Sequence, residues 1–85
     1  MYAFEHTVND PVGIHARPAG QLAKEATKFQ SKVMLCKGDK RAELRRMMAV
    51  MGLGVKQGDT IRIEVEGADE DAAGAAIRAF VEANL

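Results

Sequence analysis

Phe4, His6 and Val8 alternate with Glu5 and Thr7, a period of two that predicts a short strand with one buried face. His6 falls on the apolar phase, where a histidine is expected to be partly buried and hydrogen-bonded. Asn9-Asp10-Pro11 ends this strand in a loop, because proline cannot continue a ladder and Asn and Asp favour turns. The period then changes. From about Ala16 to about Phe29, the residues Ala19, Leu22, Ala23, Ala26 and Phe29 recur with helical spacing, while Gln21, Lys24, Glu25 and Lys28 face water. Lys24 and Lys28 lie one turn apart on the side that carries Arg17.

Alternation returns at Val33 and Leu35, set against Lys32, Met34 and Cys36, and predicts a second strand. Gly38-Asp39 makes a tight turn into a third, in which Ala42 and Leu44 point inward. Met34 and Cys36 would sit on the other sheet face, partly exposed. A short helix from about Arg46 to about Leu53 ends at Gly54, which suits a left-handed C-cap. Met47, Met48, Val50, Met51 and Leu53 are too many for one buried stripe, so some methionines are expected at the surface, where their flexibility suits varied partners. Thr60 to Glu66 alternates strictly. Gly67-Ala68-Asp69 turns this strand into a last helix, from about Glu70 to about Ala83, with Asp69 as N-cap and Ala73, Ala76, Ile77, Phe80 and Val81 buried.

The order is β-α-β-β-α-β-α in one domain spanning 1–85. Three amphipathic helices and strands with one apolar face imply an α+β, two-layer sandwich: helices on one face of an antiparallel sheet. Aromatic content is only 5%, so the core rests on Ala, Val, Ile, Leu and Met. No apolar run approaches the roughly 18 residues of a membrane helix, and the N-terminus lacks the layout of a signal peptide. Direct membrane insertion is not expected. The single cysteine cannot form an internal disulfide, which agrees with a cytoplasmic, reducing location.

Net charge is zero but unevenly distributed. Nine Lys/Arg stand against three Asp/Glu between Val12 and Arg46, and two against seven between Gly58 and Leu85. Such a chain steers an acidic partner toward its basic half. That half contains Val12-Gly13-Ile14-His15-Ala16-Arg17-Pro18-Ala19-Gly20. Here a histidine stands where a loop becomes a helix, an arginine follows two residues on, and a proline occupies the first turn. The first turn leaves backbone N–H groups without intrahelical partners and carries the positive end of the helix dipole. Pro18 fits, since its missing N–H would have been unpaired there. An imidazole at that point faces an anion site, and positive neighbours favour its uncharged, nucleophilic form. Phosphoryl transfer asks mainly for alignment and charge stabilisation. No metal-binding cluster, nucleotide cradle or catalytic carboxylate pair is evident, so neither metal nor cofactor is expected.

Gly13 to Ala19 resembles the active-site signature of the histidine-containing phosphocarrier (HPr) family of bacterial sugar phosphotransferase systems. The resemblance continues through Leu44 to Val55, Gln57-Gly58-Asp59 and Glu66 to Glu70. It implies the strand order 1-4-2-3, and a carrier rather than an enzyme. Phosphorylated enzyme I would charge His15 on Nδ1, with Arg17 assisting and the amides of Ala16 and Arg17 holding the phosphoryl oxygens. His15 would then donate to EIIA domains. Pro18, Gly20, Lys24, Arg45, Arg46, Met47, Met48 and Met51 would form the partner surface of a monomer. A mainly regulatory phosphorelay is the alternative within the same family.

Two positions depart from the pattern. Val12 stands where the family usually has Ser, Thr or Asn, and Arg46 stands where many relatives carry a regulatory, phosphorylatable serine. A nucleic-acid-binding domain is disfavoured because only Tyr2 and Phe4 offer stacking surfaces near the first strand. A hydrolase built on His15 lacks a carboxylate close in sequence to orient the ring, although the fold could bring one to it.

Overall fold

A computed structural model describes residues 1–85, in the order β1 (Tyr2–Thr7), α1 (Ala16–Ala26), β2 (Lys32–Lys37), β3 (Lys40–Glu43), α2 (Met47–Gly52), β4 (Thr60–Glu66) and α3 (Glu70–Asn84). The four strands form one antiparallel sheet in the order β1-β4-β2-β3, as the resemblance implied. In the register, Phe4 faces Ile63 across β1 and β4, Val33 faces Val65, and Leu35 faces Ile63 and Ala42. These residues make the buried face of the sheet. Ala19, Leu22 and Ala26 of α1, Val50 of α2, and Ala73, Ile77 and Val81 of α3 close over it. Leu22, Leu35, Ile61, Ile63 and Ile77 are fully enclosed, and each such side chain contributes roughly 1.5–3 kcal/mol.

The helical spacing placed α1 and α3 correctly, but α1 is shorter than expected. Beyond Ala26 the N–H groups of Lys28 and Phe29 turn back to the carbonyls three residues earlier, at 3.1 and 3.3 Å. This is the tighter winding typical of a frayed helix end. Two long-range side chains hold the chain there. Arg45 Nη2 donates to Phe29 O at 2.5 Å and approaches the Ala26 carbonyl at 3.4 Å. Asp69 accepts from the N–H groups of Gln30 and Ser31, each at 2.9 Å, and from the Ser31 hydroxyl.

Asp69 is the N-cap residue of α3 as expected, its carbonyl accepting from Ala73 N–H at 2.9 Å, but its carboxylate makes no side-chain bond to that helix. The Ser31 hydroxyl and the N–H groups of Gln30 and Ser31 hold its carboxyl below the ordinary aspartate value.

Two further expectations change. Cys36 is buried rather than partly exposed. Its lateral partners are Arg41 on β3 and Arg62 on β4, and both guanidinium groups bind Glu64, at 2.7 and 2.9 Å. These arginines stand beside Cys36 on the two neighbouring strands, where long basic stems cover apolar surface while their heads stay wet. His6 is half-buried as expected, but its enclosed Nε2 has no hydrogen-bond partner. Its neighbour across the strand is the apolar Ile61. The short helix has the expected character: it is followed by Gly54 with φ +66°, and Met48 is 75% exposed while Met47 and Met51 pack partly against the core.

No helix is long and apolar enough to cross a membrane.

Candidate functional site

His15 is the N-cap of α1, with extended backbone (φ −113°, ψ −171°), and its side chain does not bond back to the helix. Its carbonyl accepts the first helical bond, from Ala19 N–H at 3.0 Å. Ala16 and Arg17 open the helix ahead of that bond and have no upstream helical acceptor, and Pro18 has no N–H at all. The positive end of α1 therefore stays available, and the imidazole stands beside it.

The loop carrying His15 is fixed from behind. Ile14 is buried and donates to Val55 O at 3.1 Å, and Gly13 N–H reaches Asp10 O at 3.0 Å. Gly13 has φ +76° and lies so close to the Val55 carbonyl that a Cβ would come within 2.2 Å of that oxygen. Only glycine fits both demands. The Val55 segment is anchored in turn. Gly58 N–H donates to Val8 O at 2.8 Å, Val8 N–H returns to Asp59 O at 2.9 Å, and the Asp59 carboxylate accepts from Lys56 N–H at 2.9 Å. That N–H and Lys37, at 3.1 Å, hold the Asp59 carboxyl below its ordinary value.

His15 lines a surface cleft with Asp10, Arg17, Pro18, Gln21 and Asn84. His15 is half-buried and lines this cleft. Arg17 is exposed and forms no ion pair, so its guanidinium is free to meet an anion in the cleft. Asp10, Gln21 and Asn84 join the cleft although the sequence does not mark them as site residues. Gln21 follows Arg17 by one helical turn and could have been found from that spacing. Asn84 arrives only because α3 ends beside the start of α1. Val12 is 65% exposed and offers only its N–H, which donates to Asp10 Oδ1 at 2.8 Å.

Around the cleft, Gly20 packs toward α2, where a Cβ on it would touch Met47 Sδ at 3.5 Å. This contact joins the His15 end of α1 to the methionines of α2. The expected basic patch is thinner than the charge count suggested. Lys28 binds Glu25 at 2.8 Å, Arg45 is engaged with the carbonyls at the end of α1, and Lys37 and Arg41 pair with Asp59 and Glu64 of the acidic half. Lys24 and Arg46 are exposed and, like Arg17, make no ion pair. Pro18 is buried and contributes to the cleft wall. No group of His, Cys, Asp and Glu side chains is arranged to hold a metal ion.

Comparison with known proteins decides the family. A family model described as PTS HPr component phosphorylation site matches residues 2–83. The chain belongs to the HPr family. It is 44% identical to the phosphocarrier protein HPr of Mycoplasma genitalium over 85 residues, covering 99% of this chain and 97% of that one. It is 48% identical to HPr of Lysinibacillus sphaericus over 73 residues, covering 86% and 83%. Among solved structures, an HPr from Thermoanaerobacter tengcongensis superposes with a TM-score of 0.91 at 32% identity, covering 98% of this chain and 93% of that one. The chain is thus a phosphocarrier of the HPr family of the phosphotransferase system.

Proposed function

We propose that His15 accepts a phosphoryl group from phosphorylated enzyme I and passes it to EIIA domains of sugar permeases. The observation that carries this reading is the unfilled start of α1: His15 stands at the N-cap and leaves the helix amides free. The Nδ1 lone pair attacks phosphorus and forms the N–P bond as the bond to the donor breaks. On that nitrogen the phosphoryl group lies toward the N–H groups of Ala16 and Arg17. Helix-end stabilisation of its charge is worth about 0.3–2 kcal/mol, and the Arg17 guanidinium adds a charge-assisted contact. Donation reverses the same step, so moderate stabilisation suits a carrier better than tight binding.

Partners dock over the cleft and the adjoining surface of α1 and α2. Gly20 and Met47 bring the two helices together there, Met48 is exposed, and Arg17, Lys24 and Arg46 supply unpaired positive charge. Arg45 acts there chiefly by holding the end of α1. The protein works in the cytoplasm as a monomer; Met1, Val12 and Met48 are its only strongly exposed large apolar side chains. With arginine at position 46 and no hydroxyl from residue 45 to 48, this segment does not take a kinase-borne phosphate. The test is charging by phosphoenolpyruvate and enzyme I, followed by transfer to a panel of EIIA domains. Labelling of the parent chain but not of His15→Ala is expected. Equal labelling of both would refute the assignment.

A further inference from the structure

We propose that Asp10 is a positioning residue for the exchange at His15, and that its charge shortens the life of the phosphohistidine. This rests on the His15 reading above. Asp10 is held by three bonds. Its N–H donates to Leu85 O at 3.1 Å, its carbonyl accepts from Gly13 N–H at 3.0 Å, and Oδ1 accepts from Val12 N–H at 2.8 Å. The residue is thereby fixed between β1 and α1, and it lines the same cleft as His15 and Arg17. It forms no ion pair, and Oδ2 has no protein partner. Asp10 is the only acidic side chain lining that cleft, and Arg17 the only one that is always cationic.

A pocket built only to retain phosphate gains nothing from a fixed carboxylate. A carrier does, because it must also let the group go. When the phosphohistidine breaks down in water, a P–O bond forms, the N–P bond breaks, and its electron pair returns to the ring nitrogen. Departure is easiest when the other ring nitrogen holds a proton, since neutral imidazole then leaves. The Asp10 carboxylate favours that protonated ring and repels the phosphoryl oxygens. Both effects speed release, while Arg17 opposes it. Val12 brings no polar side chain to this loop, so Asp10 is the group that both shapes and charges it.

Three substitutions separate charge from shape. Asp10→Asn keeps an oxygen that can accept from Val12 N–H but removes the charge; Asp10→Glu keeps the charge; Asp10→Ala removes both. Each purified protein is charged with enzyme I and phosphoenolpyruvate, or with phosphoramidate, a small donor needing no enzyme. Phosphate loss from His15 is then timed at low and high salt, with circular dichroism confirming the fold. Interaction between unit charges in a wet cleft corresponds to about threefold in rate. Asp10→Asn is expected to lose phosphate about threefold more slowly than the parent at low salt, with the ratio approaching one at 1 M salt. Asp10→Glu is expected to restore the faster loss. Failure of enzyme I to charge His15 in the parent would refute the carrier reading alone, since phosphoramidate still charges the ring. Equal lifetimes for parent and Asp10→Asn at low salt, or a ratio unmoved by salt, would overturn the role of Asp10.

Discussion

Replacing Gly13 by alanine tests whether the His15 loop is held against the rest of the molecule as tightly as described. Two costs arise. At φ +76° a side chain is strained, by about 1–2 kcal/mol. The new Cβ would also lie 2.2 Å from Val55 O and 2.8 Å from Lys56 Cα, both backbone atoms that no rotamer change can move aside. Relieving that overlap means shifting the segment that accepts from Ile14 N–H, at a further cost of about 1–3 kcal/mol. The combined loss is about 3 kcal/mol, which at roughly 4–8 °C per kcal/mol lowers Tm by about 12–24 °C. Gly38→Ala is the control: it bears a similar strain at φ +59° but meets nothing within 4 Å, so it is expected to lose only about 1–2 kcal/mol. Thermal unfolding followed by circular dichroism measures both. A Gly13→Ala protein that melts no earlier than Gly38→Ala would refute the claim that contact with Val55 fixes the loop.

Gly20→Ala is expected to raise stability by about 0.4–1 kcal/mol, because its methyl would meet Met47 Sδ at an ordinary 3.5 Å inside a helix; a lower Tm would contradict this. The carboxyl of Asp69 is held below its ordinary value by its bonds to Ser31 and Gln30, so its contribution is present above about pH 4 and is lost as acid protonates the folded chain. The stability gap between the parent and Asp69→Asn is therefore expected to close on acidification; a gap as wide at pH 3 as at pH 7 would contradict it. Arg46→Glu reverses an unpaired charge beside the proposed docking surface, and several-fold weaker binding to enzyme I is expected at low salt, fading as salt rises. Unchanged binding at low salt would remove Arg46 from that surface.

What could be read in the chain beforehand was local. The strict alternation of Thr60 to Glu66 and the helical stripe of Leu22 and Ala26 report burial directly, because side-chain direction follows backbone period. His15 was legible because the start of a helix has the same chemistry in any fold. Contacts between distant residues were hidden. Asp69 is the N-cap of α3 as its position suggested, yet its carboxylate binds Gln30 and Ser31, 39 and 38 residues away. Arg45 read as a docking charge and is found anchoring the end of α1. Cys36 looked exposed because two arginines meeting on Glu64 leave no mark in a single strand's pattern. The cleft itself was only half visible: Arg17 and Pro18 adjoin His15 in sequence, whereas Asn84 reaches it from the far end of the chain.

His15 at the start of α1 is the proposed carrier of the phosphoryl group. That role is tested most directly by 31P and 15N NMR of the protein charged with enzyme I and phosphoenolpyruvate. One phosphoramidate signal is expected, coupled to Nδ1 of His15 and absent from His15→Ala. A signal on His6, on Nε2 of His15, or persisting in His15→Ala would contradict it.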